Sequence, residues 1–135
     1  MRLKKAETEF VALARVCRVA TLEDAGRSHC VPVCPVFDGK LLYFASDKNA
    51  RKIKNIERNP GVTLEFDDYS EAWSGLRGVV IQGEGKIVSN GRLFRKIRGL
   101  LYTKFPQYEE ESPIEDRDSA IVEVTPARAF SWGLS

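Results

Sequence analysis

Leu3, Ala6, Phe10, Leu13, Ala14 and Cys17 recur at helical spacing, which predicts an amphipathic helix over residues 4–16. Beyond it the period shortens to that of strands. Arg18-Val19-Ala20-Thr21-Leu22 reads as a strand and residues 23–27 as a turn. Ser28 to Val36 reads as the next strand, closed by the hairpin signal Asp38-Gly39. Leu41 to Ala45 follows as a third. Ala50, Ile53 and Ile56, three apart with charges between them, predict a short helix over 49–58. It stops at Asn59-Pro60-Gly61, because proline lacks an amide to donate and glycine allows the turn.

Val62 to Phe66 is a fourth strand, followed by an acidic, polar loop over 67–75. A long strand over 78–88 contains Gly83 and Gly85, which indicate a bulge or a close backbone approach. Leu93, Phe94, Ile97, Leu100, Leu101 and Phe105 mark a second amphipathic helix, ended by Pro106. The acid-rich stretch 108–118 reads as a solvated loop. Residues 120–124 and 127–132 read as a last strand pair broken at Pro126. Six or seven short, mostly antiparallel strands with interrupting helices must curl to bury one face. The prediction is a mainly β fold, a small barrel with packed helices, in one domain over 1–135.

Composition narrows the chemistry. At 135 residues and 43% hydrophobic, the chain fills one core and has no room for a second. Lys plus Arg is 21 against 19 Asp plus Glu, so no globally basic nucleic-acid binder is indicated. The helix from Arg92 to Lys104 is locally basic, but Phe94 and Phe105 fall on its apolar face and offer no stacking platform. It reads as a solvated face. No apolar run would cross a membrane, and the N-terminus has no signal core, so a cytoplasmic protein is expected. Three cysteines fit a reducing compartment. Cys30 and Cys34 lie four residues apart on one strand, ~13 Å along it, too far to bridge, and read as buried free thiols.

One histidine, His29, excludes a multi-histidine metal centre, and no metal is expected. There is no Gly-x-Gly-x-x-Gly after the first strand and no P-loop; Gly83-Glu84-Gly85 puts a carboxylate where a phosphate would sit. No side chain is identified as a catalytic acid, base or nucleophile. Any reaction therefore falls to a cofactor.

Tyr43-Phe44-Ala45-Ser46-Asp47-Lys48-Asn49-Ala50-Arg51-Lys52 carries the strongest signal. A strand ends in a hydroxyl, and Lys48, Arg51 and Lys52 share one face at the start of the following helix. Cations there oppose the helix dipole unless an anion sits against them, so the pattern suits either a phosphate site or a merely solvated basic face.

Several segments taken in order resemble the pyridoxamine-phosphate-oxidase-like, FMN-binding split barrels. They are Arg18 to Leu22, Gly26 to Val33, Leu42 to Ser46, Arg51 to Val62, and Gly83 to Ile87 with a helix ending near 102–108. The likeness spans roughly residues 8–133. The loop 67–74 is similar to a branch regarded as deazaflavin-dependent. The resemblance implies a six-stranded antiparallel split barrel and a homodimer with a cofactor in each of two clefts between subunits. It implies FMN, with a deazaflavin coenzyme as the alternative, passing hydride to or from a small organic substrate.

By position, the resemblance assigns Ser46, Lys48, Arg51 and Lys52 to the phosphate, with Lys52 the closest match. It lays the ring along Arg18, Ala20, Thr21 and the run His29 to Val33, which includes Val31 and Pro32. Pro32 fits a ligand-facing or an ordinary edge strand. Trp73, Arg77, Gln82 and Trp132 are further candidates, Trp73 as a ring wall or a dimer contact. The family also holds non-catalytic flavin and haem carriers; haem would need His29, a cysteine or a tyrosine as axial ligand. The C-terminal Arg-x-His pattern of the true oxidases is missing, which speaks against pyridoxamine phosphate as substrate.

Overall fold

The computed structural model describes residues 1–134. Seven strands form one curled antiparallel sheet in the order β2-β1-β5-β6-β7-β4-β3. They are β1 (Cys17–Leu22), β2 (Ser28–Val33), β3 (Val36–Phe37), β4 (Leu42–Asp47), β5 (Gly61–Asp68), β6 (Arg77–Val88) and β7 (Ser119–Trp132). The helices are α1 (Lys5–Leu13), α2 (Arg51–Arg58), α3 (Gly91–Lys104) and α4 (Gln107–Glu111). The edge strands β2 and β3 do not pair with each other, so the barrel is split between them.

Alternation decides what faces in. Cys17, Val19 and Thr21 of β1 are buried, while Arg18, Ala20 and Leu22, which alternate with them, are exposed or half-buried. The same period on β4 to β7 sends Phe44, Leu64, Phe66, Ile81 and Val122 into a common core, closed by Val11 of α1 and by Ile53 and Ile56 of α2. Each such side chain contributes roughly 1.5–3 kcal/mol on burial. A second cluster lies on the other face of β4 and β7, where Tyr43 and Ile121 meet Phe94, Ile97 and Leu101 of α3. The Lys104 ammonium donates to the carbonyls of Ala14 at 2.6 Å and Pro35 at 2.8 Å, tying the end of α3 to two connections.

Five expectations change. The resemblance implied six strands; the sheet has seven. The run 28–36 splits at Cys34-Pro35 into β2 and β3, because Pro35 has no amide for a ladder and the two halves pair with different strands. Conversely, Pro126 does not break the C-terminal strand: β7 is continuous, with a register shift opposite Gln82 and Gly83 that accommodates it. The stretch 108–118 is not all loop, since α4 forms and Ile114 is buried against Tyr102 and its neighbours. Of the cysteines, Cys17 is buried, Cys34 half-buried and Cys30 exposed, because Cys30 points outward from an edge strand. Burial pushes the Cys17 thiol up to about 12.

Candidate functional site

The turn between β4 and α2 is made by Asp47. Its carboxylate accepts the Asn49 amide at 2.9 Å, and its carbonyl accepts the Ala50 amide at 3.1 Å. The helix therefore begins at Arg51, not at 49, and Lys48 sits in the turn before it rather than on a helical face with Arg51 and Lys52. Ala50 supplies no side-chain cap, and the first turn of α2 holds no acid. Among the described residues, the Arg51 and Lys52 amides have no acceptor. Two cations thus stand on the positive end of an uncapped helix.

Those cations differ. The Arg51 guanidinium donates to Glu23 Oε2 at 3.0 Å and is two-thirds exposed. Lys52 is half-buried, and desolvation holds its pKa below the usual lysine value, with Asp47 opposing. Among the described residues no carboxylate lies within 4.0 Å of the Lys52 or Lys48 ammonium. An ammonium that is partly desolvated yet unpaired suits an anionic ligand. The residues present therefore fit the phosphate of a flavin nucleotide. Ser46 sits at the end of β4, its hydroxyl donating to the Asp47 carbonyl at 2.9 Å.

The residues that the resemblance assigns to the ring are spread over both faces of β1 and β2. Thr21 is buried, and its hydroxyl oxygen accepts the Asn55 amide at 3.0 Å, which anchors α2. His29, Val31 and Val33 share one face of β2 and Pro32 the other, opposite Arg18. Because β2 is a sheet edge, Pro32 takes the ordinary edge position. Ala20, Thr63 and Gln82 are neighbours across β1, β5 and β6, and line an open groove on the outer sheet face with Arg128, whose Nε donates to Gln82 Oε1 at 2.5 Å.

A third group lies elsewhere. Asp68 pairs with Arg77 at one end of the β5–β6 hairpin and Gly61 with Glu84 at the other, seven residues or ~23 Å apart. Arg77 donates to Asp68 at 3.0 Å and stacks over Phe10. Trp132 covers Gly78 opposite it, and Trp73, in a 3₁₀ turn, is 74% exposed. Within one chain this aromatic end and the cationic end of α2 do not meet. The grooves beside Phe10 and beside Gln82 are lined by neither Arg51 nor Lys52.

Sequence reasoning missed Glu23, Asp47 and Asn55. In the sequence Glu23 reads only as turn, and Asn55, four residues after Arg51, falls only within the stretch that carries the resemblance. The outer face also holds an unusual carboxyl. Glu65 lies opposite Arg18, and burial, then the hydrogen bond and charge of Asp67, push it up from 4.5 to about 7. Folding therefore favours the proton on Glu65. That contribution is complete below the unfolded value and is lost as pH rises through about 7. The urea midpoint is expected to fall between about pH 5 and about pH 8, and to fall less in Glu65→Gln; parallel profiles would contradict this.

The curl of the sheet, the gap between β2 and β3, and the helix seated after β4 define a split β-barrel. The profile of the pyridoxamine 5'-phosphate oxidase family matches residues 3–133, and the chain belongs to that family. Solved structures share the fold at low identity. A conserved hypothetical protein from Mycobacterium tuberculosis is 21% identical with a TM-score of 0.81, over 98% of this chain and 86% of that one. The heme storage protein HutZ from Vibrio cholerae is 18% identical with a TM-score of 0.79, over 96% and 94%. An F420 reductase is 19% identical with a TM-score of 0.77, over 95% and 98%. No curated protein sequence matches the chain. Relatives of this fold thus include both a reductase and a heme protein. Among the described residues, no helix is long and apolar enough to cross a membrane.

Proposed function

We propose that the protein is a flavin-dependent oxidoreductase that works as a homodimer, with FMN as the bound nucleotide. The observation that carries this is the start of α2: two free amides, the half-buried and unpaired Lys52, and Arg51, with no acid in the first turn. Lys52 and Arg51 would hold the phosphate, assisted by Lys48 from the turn and by the amides. The backbone of β1 and β2 would line the ring. When bound, the flavin ring supplies the hydride chemistry. A second copy is called for because the aromatic end of the β5–β6 hairpin lies too far from α2 to close over the same ligand. The groove bearing Gln82 and Arg128 would then admit a small organic substrate.

A deazaflavin coenzyme is the alternative occupant of the same phosphate site, supported by the loop 67–74. Mass spectrometry and the absorption spectrum of the purified protein decide between them. A flavin or deazaflavin is expected, and a Soret band would replace the proposal with a haem-binding one. In light scattering the particle is expected at twice 15.2 kDa; a monomer at micromolar concentration would contradict a cleft built from two copies.

A further inference from the structure

Four side-chain contacts fasten the turn between β1 and β2 to one stripe of α2. Asn55 donates to Thr21 Oγ1 at 3.0 Å, Arg58 donates to the Leu22 carbonyl at 2.8 Å and pairs with Asp24 at 2.6 Å, and Arg51 Nη1 donates to Glu23 Oε2 at 3.0 Å. Arg51, Asn55 and Arg58 follow one another at i, i+4 and i+7, so a single helix face makes all four. The Thr21–Asn55 pair is buried, which fixes the turn relative to the helix. Glu23 is unusual for a turn acid in that its side chain is only 25% exposed, against 66% for Arg51. Its Oε2 takes one guanidinium nitrogen and leaves the Arg51 Nε and Nη2 free of protein acceptors among the described residues. The same Oε2 lies 3.9 Å from His29 Nδ1.

We infer that Glu23 is a positioning residue, which holds the Arg51 guanidinium in one rotamer beside the uncapped end of α2 so that its remaining N–H groups meet a phosphate. The inference rests on the reading of α2 as the phosphate site. An arginine loses much rotamer freedom when a ligand fixes it, and fixing it beforehand removes that loss from binding. The competing possibility is that Glu23 draws Arg51 away from the ligand. The two make opposite predictions, because a competitor's removal tightens binding.

Fluorescence titration of the full-length chain with FMN and with riboflavin, which lacks the phosphate, separates them. Glu23→Ala is expected to weaken FMN binding about three- to tenfold and leave riboflavin unchanged, with Glu23→Gln between wild type and Glu23→Ala. In an Arg51→Ala background the Glu23→Ala change is expected to have no further effect on FMN. Unchanged or tighter FMN binding in both Glu23 variants would overturn the inference, as would equal losses for FMN and riboflavin. The Arg51→Ala chain by itself tests the underlying site. If it does not distinguish FMN from riboflavin, the phosphate reading fails and the role of Glu23 falls with it. If it does, and Glu23→Ala has no effect, the positioning role alone is wrong.

Discussion

Replacing Arg51 and Lys52 together with alanine is expected to weaken FMN binding by about a hundredfold or more while leaving the fold intact. Hydrogen bonds from a charged donor contribute about 1.5–3 kcal/mol each, so losing two removes roughly 3–6 kcal/mol, or about two to four decades in Kd. Neither side chain carries much of the fold's stability, the exposed Arg51–Glu23 pair contributing about 1 kcal/mol or less. Arg51 is exposed apart from its pairing with Glu23, and Lys52 makes no ion pair among the described residues. Both cations oppose the dipole of α2, so the ligand-free variant should be within about 1 kcal/mol of wild type in stability. Isothermal titration with FMN, a riboflavin control and a urea curve form the measurement. Unchanged FMN affinity would remove α2 from the site; a collapsed urea midpoint would show instead that the pair is structural.

Most of the barrel was legible because its signals are local and periodic. The alternation Cys17, Val19, Thr21 gives β1 its inward face, and Ile53 with Ile56 gives α2 its buried stripe. What failed were positions where one residue's effect depends on its partner strand. Pro35 ends β2 and Pro126 is absorbed within β7; nothing in either residue's immediate sequence shows that only the second lies beside a bulge. Asp47 is a further case. Its side chain accepts the amide two residues on, a turn-forming habit of aspartate, and this delays the helix enough to take Lys48 off the face it had been assigned. The cations of the site could be read from the sequence. Their anchors could not, since Glu23 is 28 residues from Arg51 and Thr21 is 34 from Asn55. That turn and helix meet only when β1 and β5 pair and bring the chain back on itself.

Gly83→Ala is expected to destabilise the protein by about 3 kcal/mol or more, near the upper end for an overpacked site. From the sequence, Gly83 and Gly85 were equivalent signs of a bulge or a close approach, and they turn out to do different work. Gly83 pairs with Pro126 while the preceding Gln82 pairs with Arg128, so β7 carries one extra residue, Ala127, at this point. A Cβ on Gly83 would fall on the carbonyl oxygen of Thr125 and within 3.1 Å of the Pro126 Cα. Both are backbone, held on either side by ladder pairing, and cannot move without breaking the junction of β6 and β7. A Cβ on Gly85 would instead meet side chains of Val122, Ile56 and Val62 at 3.2–3.4 Å, which can give way, so Gly85→Ala should cost about 1 kcal/mol or less. Paired urea midpoints measure the difference, and equal values would show that β7 relaxes around the bulge. The extra residue also sets Arg128, rather than Ala127, opposite Gln82 in the groove they share with Ala20 and Thr63.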